Sequence, residues 1–200
     1  MEFPNLSFSP WVIPAAALGY GLIHSVMAST SFKHLVYFLL GNGAEKYYRL
    51  LYSIFATITL LPVLTLTALI PDIPLYTIPA PYRYLTVLVQ AVSVLLLAYS
   101  VIQTGALQFI GLSQALGWKH TDRLNTGGLY RFMRHPLYAF SLLFIWLTPV
   151  MTRNLLLLYA ALTVYILIGA YFEERKLQRT FGEDYATYKV KTAFLIPFIF

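Results

Sequence analysis

Four long apolar stretches dominate the sequence and limit the folds open to it. They cover residues 11–30, 50–70, 84–104 and 154–172, and a helix of about 20 residues crosses a hydrocarbon core of about 30 Å. The composition agrees, because 58% of the residues are hydrophobic, 11% are charged and the mean hydropathy is +0.67, whereas soluble domains carry about 25% charged residues. These features predict an integral membrane protein built from helices.

A fifth apolar stretch, residues 137–150, is shorter than the others. Its 14 residues would reach only about 21 Å as a helix, and Pro136 suits the first turn of a helix. One end should therefore start below the membrane surface, which places Arg134 and His135 in a shallow, partly dehydrated dip. We predict an all-α integral membrane protein with five transmembrane helices, forming a single domain over residues 1–200.

The basic residues indicate an orientation, because Lys and Arg in short loops favour the cytoplasmic side. With the N-terminus outside, five spans place segments 31–49, 105–136 and 173–200 inside. Those segments hold 12 of the 14 Lys and Arg residues: Lys33, Lys46, Arg49, Lys119, Arg123, Arg131, Arg134, Arg175, Lys176, Arg179, Lys189 and Lys191. Only Arg83 and Arg153 fall outside. We therefore expect the C-terminus to be cytoplasmic.

Composition also excludes several kinds of site and partner. The chain has no cysteine, so disulfides, thiolate metal sites and a cysteine nucleophile are excluded. Its four histidines have no metal-ligand spacing, and we predict no metal site. The basic residues are scattered over loops instead of forming one soluble face, which argues against nucleic-acid binding. The expected partner is the lipid bilayer, and the sequence does not indicate an oligomeric state.

A polar break at residues 152–154 reads as the turn of a helical hairpin formed by the last two spans. His135 lies 18 residues before Arg153, and Glu173 lies 20 residues after it. These arms measure about 27 and 30 Å as helices, so both polar clusters return to nearly the same height, and packed helices lie about 8–10 Å apart. A ligand bridging that gap would touch both clusters. Alternatively, these charges only mark where two helices leave the bilayer, and spacing alone favours neither interpretation.

Two further segments have predicted structures. Residues 71–82 contain four prolines and cannot form regular helix, so they read as an external loop. The terminal segment 195–200 is too short to span the membrane, and we expect an interfacial C-terminal helix there.

Three motifs resemble a known superfamily. They are the run Gly128 to Tyr138, which contains Arg-His-Pro-Leu-Tyr, the pair Glu173 and Glu174, and the tail Phe181 to Tyr188. In this order they resemble the membrane methyltransferases related to isoprenylcysteine carboxyl methyltransferase and phosphatidylethanolamine N-methyltransferase. The stretch Thr148 to Leu177 is most similar to bacterial methanethiol S-methyltransferases, which implies a bacterial inner membrane.

The resemblance implies S-adenosylmethionine as cofactor. Carboxylates suit its ribose hydroxyls or ammonium group. Because adjacent helical residues point about 100° apart, we expect one glutamate to contact the cofactor and the other to pair with Arg131 or Arg134. His135 and the first backbone N–H groups of the following helix suit the cofactor carboxylate, and tyrosines can stack on adenine. The predicted cofactor-binding residues, at the cytoplasmic site formed by 105–138 and 173–190, are Tyr130, Arg131, His135, Pro136, Tyr138, Glu173 and Glu174.

Methyl transfer from a sulfonium depends mainly on positioning and on exclusion of water. We predict Arg134 and His135 as catalytic residues that stabilise negative charge on the acceptor. A small thiol acceptor is favoured by the likeness around Thr148 to Leu177, and the alternatives are a prenylated cysteine carboxylate or an aminolipid. A membrane scaffold without catalysis is a less favoured reading.

His24 supports an alternative of a different class. An ionisable residue inside a span is a functional candidate, and His24-Ser25 in the first span resembles the NnrU family, which implies a haem held by intramembrane histidines. A haem would need a second ligand at a similar depth, and the one candidate, His135, lies at the cytoplasmic edge whereas His24 lies deeper in its span. The other interpretation is a neutral imidazole hydrogen-bonded to Ser25 or to a neighbouring helix. The segment Gly105 to Gly111 falls where family members have a glycine-containing cofactor segment, although glycines also end spans. Tyr185 and Tyr188 either cap the site or anchor the chain at the interface.

Overall fold

The computed structural model describes residues 9–118 and 123–197, and most of these residues are helical. In chain order the elements are α1 (Val12–Ala28), α2 (Thr30–Leu40), α3 (Asn42–Leu69), β1 (Pro74–Thr77), α4 (Tyr82–Gln103), α5 (Ala106–Phe109), α6 (Leu112–Ala115), a 3₁₀ helix (Gly128–Arg131), α7 (Pro136–Trp146), β2 (Val150–Thr152) and α8 (Arg153–Lys191). Within the described residues, α3, α4 and α8 are long and apolar enough to cross a membrane, and the bent pair α1 and α2 is a fourth candidate. The chain is an integral membrane protein.

Several helices extend beyond the predicted spans. The segment 31–49 was expected to connect two spans, but it contains α2 and the first turns of α3. α2 leaves α1 at an angle of 62°, and Ser29 caps α2 by accepting a hydrogen bond from the backbone N–H of Phe32 at 3.2 Å.

α7 has 11 residues and reaches about 16 Å, so it is even shorter than the predicted fifth span.

A small antiparallel sheet of β1 and β2 departs from the all-α prediction. The prolines at 71, 74, 79 and 81 exclude helix, as expected, but the segment between them is extended and pairs with the connection between α7 and α8. Hydropathy could not reveal this pairing, because each strand has at most four residues. The proline-rich segment and the turn at 152–154 therefore lie at the same end of the molecule.

Polar contacts fix the start of α8 beside the end of α3. The buried Asn154 side chain donates to the Ile70 carbonyl at 2.8 Å, and its backbone N–H donates to Asp72 Oδ1 at 3.0 Å. Arg153 donates to the Pro71 carbonyl at 2.8 Å. An apolar core lies at this end of α1, α3 and α8, formed by Ile13, Ala17, Val63, Ile70, Leu158 and Ala161.

Polar contacts join the two ends of α7 to α8, and the two helices run in opposite directions. Near their connection, Trp146 Nε1 donates to Thr163 Oγ1 at 2.9 Å. At the other end, Tyr138 donates to Glu173 at 2.7 Å. This arrangement brings the start of α7 to the charged part of α8.

The last part of α8 turns back towards the start of α7. The helix is interrupted at Gly182, whose φ of 54° and ψ of −123° are not helical, and glycine adopts positive φ without the steric cost that a side chain imposes. Beyond α8, the chain passes alongside residues 133–135. The predicted terminal helix over 195–200 is wrong for residues 195–197, which are not helical, and residues 198–200 lie outside the described part of the chain.

Gly111 allows the segment after α4 to lie directly against α3. Its φ is +89°, and a Cβ atom there would lie 2.4 Å from the backbone N of Leu50 and 2.6 Å from the carbonyl C of Arg49. Real Cβ atoms essentially never come so close to backbone atoms. Only glycine therefore fits this contact.

We expect Gly111→Ala to lower the melting temperature in detergent much more than Gly117→Ala. Both glycines have positive φ, but a Cβ at Gly117 would meet nothing within 4 Å, so the second variant measures the backbone cost alone. The steric clash at Gly111 should add about 1–3 kcal/mol, as overpacking does elsewhere. Equal melting temperatures for the two variants would contradict this close packing.

Candidate active site

The C-terminal segment holds the Arg-His-Pro run in place. Met133 and Ala193 form a parallel bridge, the Arg134 N–H donates to the Ala193 carbonyl at 2.8 Å, and the His135 N–H donates to the Phe194 carbonyl at 3.3 Å. These bonds fix the backbone just before Pro136. The buried Pro136 then begins α7, because proline at the first helical position has no N–H to leave unpaired.

Glu174 lies at the centre of the site and is nearly buried, with 8% of its surface exposed. Its Oε1 accepts hydrogen bonds from Arg134 Nε at 2.8 Å, from His135 Nε2 at 2.9 Å and from the Tyr185 hydroxyl. Its Oε2 lies 3.3 Å from Lys189 Nζ. Because a carboxylate only accepts hydrogen bonds, the proton of this contact is assigned to Nε2 of His135.

These contacts determine the charge state of Glu174. Burial alone would raise the pKa of its carboxyl, but the hydrogen bonds from His135, Tyr185 and Arg134 outweigh burial and hold the pKa well below its usual range. Burial and the hydrogen bond to Glu174 raise the pKa of the Tyr185 hydroxyl. Glu174 is therefore an anion, and Tyr185 is a neutral donor to it.

Glu173 has a different environment from its neighbour. It accepts a hydrogen bond from the Tyr138 hydroxyl at 2.7 Å, its Oε2 lies 3.7 Å from His135 Nδ1, and 43% of its side chain is exposed. The rings of His135 and Tyr138 stack with their centroids 5.4 Å apart. Burial and the nearby charge of Glu173 raise the pKa of Tyr130 to about 12. Glu173 thus keeps acceptor capacity beside two tyrosines.

Of the two arginines left open by the sequence, Arg134 is the one that pairs with a glutamate, namely Glu174. Its Nη1 donates to the carbonyls of Lys189 and Thr192, and its guanidinium lies 5.5 Å from the ring centroid of Phe194. Arg131 is exposed at the end of the 3₁₀ helix, and no hydrogen bond or ion pair within residues 9–118 and 123–197 joins it to Glu173 or Glu174. The structure therefore brings together all the predicted site residues except Arg131.

The tyrosines of the tail also belong to the site. Tyr185 and Tyr188 are both buried, and the Tyr188 hydroxyl donates to the Tyr130 carbonyl at 2.6 Å. Of the two interpretations left open by the sequence, these contacts favour the cap over the interfacial anchor.

Sequence reasoning missed three polar residues that complete the site or its surroundings. One is Lys189, and the others are Gln103 and Asn125. Asn125 Nδ2 donates to the Gln103 carbonyl at 2.9 Å, and Gln103 Oε1 accepts from the Leu129 N–H at 3.2 Å. These bonds tie the end of α4 to the segment before Tyr130. No local pattern marks such residues, because their partners lie 15 or more positions away in the chain.

A cavity of about 570 Å³ opens on the Glu174 side of the cluster. It is lined by Arg134, Leu167, Tyr171, Glu174, Arg175, Gln178, Arg179, Lys189 and Phe194. The face of α8 that carries Glu173 is not part of this lining. The two adjacent glutamates therefore serve different surroundings.

His24 lies on α1, and its side chain contacts α3 and α8. Its Nε2 is 2.6 Å from the Tyr52 hydroxyl, and its Nδ1 is 2.6 Å from the Tyr165 hydroxyl. The predicted hydrogen bonding to a neighbouring helix is thus confirmed, and both imidazole nitrogens have protein partners. Within the described ranges, no group of three or more potential metal ligands occurs.

Comparisons with known proteins agree with the motifs. The family described as phospholipid methyltransferase matches residues 82–184, which is more than half of the chain. The chain belongs to this family. The predicted resemblance to membrane methyltransferases is therefore confirmed, and the match contains both glutamates and the whole Arg-His-Pro run.

Individual relatives match over shorter regions. Methanethiol S-methyltransferase 1 of Bradyrhizobium diazoefficiens is 44% identical over 75 residues, which is 38% of this chain and 26% of that protein. The methanethiol S-methyltransferase of Crocosphaera subtropica is 39% identical over 77 residues, covering 38% of this chain and 30% of the relative. The methanethiol S-methyltransferase of Mycobacterium tuberculosis is 35% identical over 95 residues, covering 45% of this chain and 39% of the relative. The matched regions thus span well under half the length of these relatives. No solved structure matches the chain.

We expect Glu174→Gln to destabilise the protein strongly at neutral pH, and much more than Glu173→Gln. The neutral amide leaves Arg134 and Lys189 without their anion, and breaking a buried pair costs about 3–5 kcal/mol. Because folding lowers the pKa of Glu174, its contribution is fully present above the ordinary carboxyl pKa and is lost as the pH falls. Melting temperatures of both variants and the parent protein between pH 7 and pH 3 test this. If the difference in melting temperature between Glu174→Gln and the parent protein did not shrink below pH 4.5, this expectation would be contradicted.

Proposed function

We propose that this protein is a membrane methyltransferase that uses S-adenosylmethionine and transfers the methyl group to a small thiol. The observation that carries the proposal is the difference in contacts and exposure between the two adjacent glutamates. Glu174 is saturated by four protein groups, whereas Glu173 stays partly exposed beside Tyr130 and Tyr138. This leaves one carboxylate for a ligand, as the family's cofactor requires.

The donors and acceptors around Glu173 fit the proposed cofactor. In this proposal Glu173 accepts hydrogen bonds from the ribose hydroxyls or the ammonium group. Tyr130 and Tyr138 supply an aromatic surface for adenine, and the first turn of α7, which follows His135 and Pro136, supplies backbone N–H groups for the carboxylate. Arg131 would contact the cofactor only at the exposed edge of the site. When bound, the sulfonium offers a methyl carbon that a nucleophile attacks in line.

The roles of Arg134 and His135 follow from their contacts. His135 is buried, is held by Glu174 through Nε2, and lies against Tyr138, so it provides a rigid wall next to the proposed methyl donor and excludes water from it. Arg134 uses Nε and Nη1 for protein contacts, which leaves Nη2 to stabilise negative charge on an acceptor. Both residues remain our proposed catalytic residues.

A thiol is the preferred acceptor because the relatives matched over part of the chain are methanethiol S-methyltransferases. The alternatives are O-methylation of a prenylated cysteine carboxylate and N-methylation of an aminolipid, which the family name also suggests. All three acceptors are apolar or lipid-borne. In each case we expect the acceptor to enter from the bilayer.

We further propose that the chain forms one domain with five membrane passages and that its N-terminus is outside. The bent pair α1 and α2, the helices α3 and α4, and the α7–α8 pair would provide these passages, with α7 starting below the membrane surface. The positive-inside rule supports a cytoplasmic location of the Glu174 cluster, because Arg175, Arg179 and Lys189 surround it. A bacterial inner membrane fits the organisms of the relatives.

An assay with a labelled methyl group tests this proposal. Membranes containing the protein receive labelled S-adenosylmethionine with methanethiol, a prenylcysteine or an aminolipid in parallel. We expect label in the volatile thioether only. We expect Glu173→Gln to reduce this signal at least about tenfold, since a lost charge-assisted hydrogen bond costs about 1.5–3 kcal/mol, and Glu183→Gln to leave it unchanged, because Glu183 is exposed.

The outcomes separate the parts of the proposal. Label in the prenylcysteine or the aminolipid would retain the methyltransferase but replace the thiol. Full activity of Glu173→Gln would remove Glu173 from the cofactor site. Absence of label in every product, from protein shown to be folded by its melting transition, would overturn the proposed function.

A further inference from the structure

The cavity beside Glu174 has the wrong charge for the proposed cofactor. Its walls carry four cations, namely Arg134, Arg175, Arg179 and Lys189, and one carboxylate, so three positive charges are in excess. S-adenosylmethionine carries a sulfonium, an ammonium and one carboxylate, and is therefore a net cation. A pocket of excess positive charge repels such a ligand and attracts an anion.

Two arginines of the cavity have no carboxylate partner. Arg175 lies 5.8 Å from the ring centroid of Tyr171, and no ion pair in the described part of the chain involves Arg175 or Arg179. They are four residues apart on α8 and therefore point to the same side of the helix. Lys189 lies on the wall of the same cavity. Guanidinium groups bind phosphate oxygens through two parallel hydrogen bonds, so this wall suits a phosphate.

The cavity also has an apolar side that continues into the hydrophobic part of α8. Leu167 and Tyr171 precede Arg175 at successive intervals of four residues, so the three line one face. Leu167 is 42% exposed and Tyr171 is 57% exposed, and both lie in or at the end of the stretch expected to be in lipid. A ligand in this cavity thus meets arginines at one end and hydrocarbon at the other.

We propose that this cavity binds the headgroup of an anionic phospholipid, with the phosphate against Arg175, Arg179 and Lys189 and an acyl chain along Leu167 and Tyr171. The volume of about 570 Å³ is within the usual range of ligand sites, about 300–1,000 Å³. Because Arg134 and Glu174 form the inner wall, the bound lipid lies directly against the cluster that positions His135. The lipid is a resident ligand in this proposal and accepts no methyl group.

Native mass spectrometry of the purified full chain tests the site. The protein in neutral detergent is titrated with dihexanoyl phosphatidylglycerol, with dihexanoyl phosphatidylcholine or with inorganic phosphate. We expect one phosphatidylglycerol to bind in preference to phosphatidylcholine. The double variant Arg175→Gln with Arg179→Gln should bind it about tenfold or more weakly, because both charge-assisted contacts are lost.

The matched control is Lys176→Gln with Lys191→Gln, which removes the same charge from exposed positions of α8 outside the cavity lining. We expect its affinity to stay within about twofold of the parent, as surface charges contribute little. Equal weakening in both double variants would reduce the effect to general electrostatics and overturn the site. Equal binding of both lipids would also overturn it.

If inorganic phosphate competed with the lipid at equal concentrations, the site would be a simple anion site, and the proposed lipid site would be overturned. All four substituted residues are exposed, so the variants should fold, and their melting temperatures check this. None of these outcomes depends on methyl transfer. Failure of this inference is therefore distinguishable from failure of the proposed function.

Discussion

The buried carboxylate of Glu174 is the interaction on which the site depends. It joins three parts of the chain that are distant in sequence: the Arg134-His135 pair before α7, its own position in α8, and the returning tail with Tyr185 and Lys189. A buried anion is costly unless its lone pairs are filled, and here four donors fill them. The cluster is therefore stable only when all three parts are in place.

This arrangement gives the two adjacent glutamates different surroundings. Neighbouring residues on a helix point about 100° apart. When the contacts of Glu174 fix α8, Glu173 therefore points to a different side. There Tyr138 is the hydroxyl donor and Glu173 remains partly exposed. In our proposal, Glu174 holds the site together and Glu173 contacts the cofactor. On the opposite side, the basic cavity is our proposed site for an anionic lipid.

The sequence allowed the helical membrane class and the site motifs to be predicted, because apolar length and motif order depend on local residues, but it left open whether Arg131 or Arg134 pairs with a glutamate. It did not reveal the strand pairing of 74–77 with 150–152, the bend at Ser29 or the contribution of Lys189. The strand pairing and the Lys189 contact depend on partners 15 or more positions away in the chain, whereas the bend at Ser29 has a local cap that hydropathy does not detect. Arg131 was included by proximity in sequence alone, and the 3₁₀ turn directs it to the exposed surface.

A crystal structure of the full chain with S-adenosylhomocysteine bound would show which glutamate contacts the cofactor. We expect the nucleoside on the side of Tyr130 and Tyr138, with a ligand oxygen or nitrogen within hydrogen-bonding distance of Glu173, and with Glu174 still bound to Arg134 and His135. A ligand lying against Arg175 and Arg179, or one that displaces Arg134 from Glu174, would contradict this expectation.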